Sequence, residues 1–163
     1  MNTTLRIVTS DDSEAISALV QESFQKLAAA DWDDQAQQNF IANASSESIA
    51  ERLQSAVYAA AEFSDDQPTG FILFPKPSLL GMLFVNPNRI GQGIARRLWE
   101  AARVHIESAY PEIKTIELNS TPYAVNIYRA LGFVPISAEF VVDGCRATRM
   151  ACWLRARSLG AEI

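Results

Sequence analysis

Histidine and cysteine are scarce in this chain. It holds one histidine, His105, and two cysteines, Cys145 and Cys152. One imidazole and two separated thiols make no zinc-ligand cluster, so no metal site is expected. The cysteines lie in one strand-like segment and are read as reduced thiols of a cytosolic protein. His105 lies on a helical segment and is read as structural. Long apolar runs are also missing. The longest spans residues 79–85, far too short to cross a bilayer. Positive charge is in deficit, with 14 Lys and Arg against 19 Asp and Glu, a formal net charge of −5. That argues against general nucleic-acid binding, which needs a basic footprint. The N-terminal stretch has one Arg followed by Asp11, Asp12 and Glu14, unlike a signal or transit peptide. A cytoplasmic protein without membrane or nucleic-acid partners is expected. Three enzyme signatures are absent as well: the P-loop, the dinucleotide fingerprint and the G-x-S-x-G nucleophile elbow.

What is present fits one folded unit over residues 1–163. That length is typical of a single domain. Hydrophobic residues make up 48% and charged residues 20%, close to the globular norm. A first strand is expected at residues 5–8. Ile16, Leu19, Val20, Ser23, Phe24 and Leu27 then recur at helical spacing. A second helical region covers about residues 33–53, broken near 43–46 where small polar residues cluster. Strands follow near residues 55–63, 70–74 and 79–85, joined by short turns that favour hairpins. The period then changes. Ile94, Leu98, Ala101, Ala102 and His105 mark one stripe of a helix ending near residue 108. A strand at 113–119, a short helix at 122–131 and strands near 134–142 and 145–154 complete the chain. Pro122 suits the first turn of that short helix, and Gly132 suits its C-cap. Asp143-Gly144 is a two-residue hairpin signal. The order β-α-α-β-β-β-α-β-α-β-β implies an α/β fold, with a mixed, mostly antiparallel sheet flanked by helices.

One segment carries chemistry. The strand containing Leu83, Phe84 and Val85 runs through Asn86-Pro87-Asn88-Arg89 into Ile90-Gly91-Gln92-Gly93-Ile94-Ala95-Arg96-Arg97. Glycines at such a turn let the backbone approach a ligand closely. The helix they open presents unpaired N–H groups and a partial positive charge. Together these suit a pyrophosphate. Arg96 and Arg97 are placed to add cationic contacts. The alternative is a tight strand-to-helix turn that holds no ligand.

This segment resembles the acetyl-CoA-binding motif of the GNAT superfamily of N-acetyltransferases, in which Arg/Gln-x-x-Gly-x-Gly/Ala opens a helix after an apolar strand. Gly91, Gly93 and Ala95 fall on the small positions. Ile90 stands where Arg or Gln leads the motif, with Arg89 just before it. A second stretch, from Asn119 to Phe133, is similar to the family's Asn-x-x-Ala-x-x-x-Tyr pattern running into Gly-Phe. Ala124, Tyr128, Gly132 and Phe133 match, and Thr121 replaces the Asn. The resemblance covers nearly the whole chain in element order and is sharp over residues 79–133.

The resemblance implies direct transfer of an acetyl group from acetyl-CoA, as cosubstrate, to a primary amine. It implies acetyl-CoA contacts from Leu83, Phe84, Val85, Ile90, Gly91, Gln92, Gly93, Ile94, Ala95, Arg96, Thr121 and Tyr128. It also implies that the strand at 79–85 splays from the next one, with the pantetheine arm in the gap. Tyr128 matches the family tyrosine as general acid towards the departing thiolate. A phenol with a reference pKa of about 10 is protonated at neutral pH. The strand at 79–85 carries no carboxylate to act as base. Glu62, in the preceding hairpin, is the candidate by element order, and a water chain is the alternative. Phe24, Trp32, Phe40 and Tyr58 are candidates to line the acceptor pocket. Asp31, Asp33 and Asp34 cluster beside Trp32, either to attract a cationic amine or as solvated loop carboxylates. A homodimer through the C-terminal strands is a further implication. The rival readings are a non-catalytic acyl-CoA-binding regulatory module on the same fold and a structural interaction domain.

Overall fold

The computed structural model describes residues 2–155. Two antiparallel sheets form its frame. The first holds β1 (Thr3–Ile7), β2 (Tyr58–Ser64), β3 (Gln67–Phe74) and β4 (Met82–Val85), hydrogen-bonded in that order. The second places β5 (Thr115–Ser120) beside β8 (Cys145–Trp153), with β6 (Val134–Pro135) and β7 (Phe140–Val142) on the other edge of β8. The sheets meet at one parallel bridge, Leu79 with Glu117. There the Leu80 N–H donates to the Glu117 carbonyl at 3.0 Å, and the Glu117 N–H donates to the Ser78 carbonyl at 2.8 Å. Beyond that bridge β4 and β5 part.

Helices cover both faces. α1 (Ser13–Leu27) and α3 (Ser46–Ser55) pack together on one face, with α2 (Asp34–Asn43) leading into α3. Their core joins Ile16, Val20 and Ile49 to Ala61, Phe71 and Leu73 of the sheet. α4 (Ile94–Ala109) lies on the opposite face, where Leu98, Trp99, Ala102 and Ile106 are buried against Ala60, Ile72 and Ile116. α5 (Val125–Leu131) closes the second sheet's end. Gly70 lets α4 come this close. A Cβ on it would sit 2.5 Å from Ile94 Cγ2 and 2.8 Å from Leu98 Cδ1.

The second helical region is broken near residues 43–46 as expected, and Ser45 there caps α3 by accepting the Ser48 N–H at 3.2 Å. Two local readings change. The buried stripe of α4 runs through Trp99 and Ile106, and His105 is exposed. The strand expected at 134–142 is broken into β6 and β7. Pro135 has no N–H to extend the ladder, and the pairing slips in register before Phe140. The Ser137 hydroxyl then takes the Arg149 N–H at 3.0 Å. The turn at Asp143 and Gly144 is as expected, with φ of 50° and 78°. Both cysteines are free thiols. No helix among the described residues is long and apolar enough to cross a membrane.

Candidate active site

The parting of β4 from β5 opens a cavity of about 610 Å³. Five structural pieces line it, among them β5 through Asn119. β4 contributes Met82, Leu83, Phe84 and Val85. The following loop and the first turn of α4 contribute Arg89, Ile90, Gly91, Gly93, Ile94, Ala95 and Arg96. Thr121, Tyr123, Asn126, Ile127 and Tyr128 come from α5 and the turn before it. Ser23, Phe24, Leu27, Ala28 and Trp32 come from α1 and the turn after it.

The loop owes its shape to its glycines. Gly91 and Gly93 hold φ of 86° and 79°, a left-handed conformation that side chains resist. It delivers the chain to the start of α4, whose first N–H groups have no intrahelical partners. The amides of Gly91, Gln92 and Gly93 also make no hydrogen bond among the described residues. Two cations flank this cradle, Arg89 and Arg96, and the Arg96 guanidinium also donates to the Ala130 carbonyl at 2.8 Å. No carboxylate lines the cavity among the described residues. Unpaired N–H groups, a helix N-terminus and two guanidinium groups form an anion receptor.

Arg97 does not join them. Its Nε and Nη2 each donate to Glu62 at 2.8 Å, and Nη1 donates to the Gln92 carbonyl at 2.9 Å. The pair braces the loop from behind. Glu62 is buried on the α4 side of β2 and does not reach the cavity. A carboxylate gripped at both oxygens by a guanidinium is poorly placed to collect a proton. Gln92 also stays off the lining, its carbonyl turned to Arg97.

Tyr128 does line the cavity. Burial pushes its phenol well above the ordinary tyrosine range. Its ring meets Phe133 at 5.7 Å. Thr121 stands at the N-terminus of the turn before α5 and lines the same wall.

The four aromatic candidates separate. Phe24 and Trp32 reach the cavity, with ring centroids 5.1 Å apart. Phe40 stacks behind Phe24 at 4.0 Å and is not on the lining. Tyr58 lies on the other face of the sheet, 4.9 Å from the His105 ring, with its phenol pushed up by burial. The neighbouring acids have structural partners. Asp33 caps α2 by accepting the Ala36 N–H at 2.8 Å, and Asp31 pairs with Arg146 at 3.4 Å.

Sequence reasoning missed Ser23, Leu27 and Ala28 as cavity residues. Their signal was the helical spacing that put Ser23, Phe24 and Leu27 on one face, read there only as core. Asn126 also lines the cavity, at a position to which the Asn-x-x-Ala-x-x-x-Tyr pattern gives no role.

Known structures share this architecture. A GCN5-related N-acetyltransferase from Rhodopseudomonas palustris superposes with a TM-score of 0.81 at 20% identity, covering 94% of this chain and 97% of that one. The PaiA N-acetyltransferase of Thermoplasma acidophilum, in complex with coenzyme A, gives 0.77 at 18% identity over 94% and 99% of the two chains. An aminoglycoside 6'-N-acetyltransferase complexed with coenzyme A gives 0.69 at 14% identity over 94% and 98%. No curated protein matches the chain in sequence. The family model of the acetyltransferase (GNAT) domain matches residues 28–154, a span that takes in the glycine loop, both parting strands and Tyr128. The chain therefore belongs to the GNAT family of acetyltransferases.

Proposed function

We propose that this protein moves an acetyl group from acetyl-CoA directly to a primary amine. One observation carries the reading. A single cavity joins the left-handed glycine loop, the open edge of β4 and the Tyr128 phenol. The loop amides, Arg89 and Arg96 suit the phosphates of CoA. The space between β4 and β5 suits the pantetheine arm. Backbone N–H groups on the open edge of β4 are available to stabilise an oxyanion on the thioester carbonyl.

In the proposed step the amine lone pair attacks the carbonyl carbon. The C–N bond forms, the C–S bond breaks, and the thiolate takes a proton from Tyr128. The Tyr128 phenolate regains its proton from water, and the attacking nitrogen gives up one proton to water. Glu62 is not assigned this role, since Arg97 occupies both its oxygens. The proposed homodimer would use the exposed Val134, Ile136, Val141 and Val142 of the C-terminal strands.

Calorimetric titration of the purified protein with acetyl-CoA tests the binding half. Saturable one-site binding, weaker for dephospho-CoA, is expected. No binding at sub-millimolar concentration overturns the reading. Thiol release over a panel of amines tests transfer. Tight binding without release for any amine would favour a non-catalytic acyl-CoA module, the reading that the carboxylate-free cavity supports.

A further inference from the structure

One wall of the cavity hangs on a short strap. α1 ends at Leu27, and the chain makes a 3-10 turn over Ala29–Asp31 before Asp33 caps α2. Between the turn and the cap, Trp32 is extended, with φ −118° and ψ 148°. It lines the cavity beside Phe24, Leu27 and Ala28. The Phe24 and Phe40 rings support it at 5.1 and 5.7 Å. Trp32 stands in no helix, so its place depends on what ties the strap down.

The ties come from two sides. From α2, Gln37 Nε2 donates to the Ala29 carbonyl at 2.7 Å and to the Trp32 carbonyl at 2.9 Å. The tip of the β7–β8 hairpin supplies the rest. Trp32 forms an antiparallel bridge with Cys145, and the Asp33 N–H donates to the Gly144 carbonyl at 3.2 Å. Arg146 pairs with Asp31 at 3.4 Å and with Glu139, just before β7, at 3.2 Å. Gly144 permits this approach. It holds φ of 78°, and a Cβ on it would overlap the Asp33 carboxylate. The hairpin belongs to the second sheet, whereas α1 packs on the first. The strap contact is thus a second tie between the two halves, separate from the Leu79–Glu117 bridge. Neither Gly144 nor Arg146 lines the cavity.

We infer that Gly144 and Arg146 are positioning residues for the acceptor, holding Trp32 in a wall that packs against an apolar substituent of the amine. The inference rests on the acetyl-transfer reading above. The glycine loop, Arg89 and Arg96 serve the phosphates in that reading, which leaves the apolar wall of Phe24, Leu27, Ala28 and Trp32 for the group carried by the amine. Apolar burial there requires the wall to stand in place before the ligand arrives, since ordering it on binding would cost affinity. The hairpin tip provides that order from outside the cavity.

Two CoA conjugates test this on the full chain without need of turnover. Each carries a carboxymethyl group on the CoA sulfur, closed as an amide with 2-phenylethylamine in one and with methylamine in the other. The amide nitrogen stands for the acceptor nitrogen, and the pair differ only in the group beyond it. By calorimetry we expect the phenylethyl conjugate to bind about ten-fold more tightly, the lower end of what burying a phenyl group gives. Gly144→Ala should bring that ratio to about one and leave the Kd for acetyl-CoA unchanged, because it acts on a separate part of the cavity. If that variant does not fold, Arg146→Ala decides, with a fall in the ratio of about two-fold, in keeping with an exposed ion pair. A ratio near one in the unaltered protein, a ratio that survives the deciding variant, or an equal loss for acetyl-CoA and both conjugates overturns the inference and leaves acetyl transfer standing. Failure of the unaltered protein to bind acetyl-CoA overturns the reading beneath it.

Discussion

Glu62 and Arg97 are joined by two parallel hydrogen bonds of 2.8 Å, the carboxylate buried and the guanidinium half exposed. The remaining guanidinium nitrogen holds the Gln92 carbonyl, so the pair fixes the loop through its backbone. Contact with Glu62 also raises the Arg97 pKa further above its already high value. Glu62→Gln keeps the shape and loses the ionic grip. We expect a several-fold weaker Kd for acetyl-CoA with kcat nearly unchanged. The stability cost should be about 1–2 kcal/mol, below that of a fully buried pair because Arg97 reaches solvent. Calorimetry, steady-state kinetics and urea titration read the three quantities. A fall in kcat at constant Kd would instead make Glu62 the base.

Gly91 and Gly93 share a backbone conformation but differ in surroundings. A Cβ at Gly91 would meet nothing within 4 Å, whereas one at Gly93 would lie 3.0 Å from Arg97 Nη1. Gly91→Ala should cost only the left-handed strain, about 1 kcal/mol. Gly93→Ala should cost that and also disturb the Arg97 brace, giving the larger loss of acetyl-CoA affinity. Equal losses in a paired calorimetric titration would separate the loop from the brace.

Tyr128→Phe should lower kcat by about 10²-fold, the lower range for loss of a general acid, and leave the Kd for acetyl-CoA unchanged. The pH profile gives a second check. Burial raises the phenol pKa, so the proton-bearing form persists to higher pH than in a free tyrosine. The unaltered enzyme should therefore show no alkaline loss of kcat from Tyr128 below pH about 10. A loss in that range that vanishes in Tyr128→Phe would contradict the assignment.

Gly70 tests the packing of α4 on the sheet. Gly70→Ala would force Ile94 and Leu98 outward. Overpacking of this kind costs about 1–3 kcal/mol. Ile94 is the first residue of α4, so the same change should shift the helix N-terminus and weaken acetyl-CoA binding. A lowered urea midpoint with unaltered affinity would show that the loop adjusts independently of the helix.

The parts of the site that were legible in sequence are those set by backbone chemistry. A left-handed turn needs glycine, and Gly91, Gly93 and Gly132 stand at left-handed positions. Asp143-Gly144 declared its hairpin for the same reason. Side-chain partnerships across the fold were not legible. Glu62 and Arg97 lie on different elements, and no local pattern links them. Phe24 and Phe40 have equal claim to a pocket by composition. Only the packing puts one at the cavity and the other behind it. Tyr58 was misplaced by strand alternation, since its side chain falls on the α4 face with Ala60. The strand expected over 134–142 was read straight through Pro135, whose missing N–H precedes the change of register between β6 and β7.

The Leu79–Glu117 bridge gives the cavity an uneven mechanical response. Its two long walls belong to separately hydrogen-bonded sheets, tied at one end by a pair of backbone bonds. Wedging the walls apart stretches that tie and leaves both ladders whole. Compressing them drives side chains into one another, which packed interiors resist. The cleft can therefore widen by straining this tie without breaking a ladder bond of either sheet.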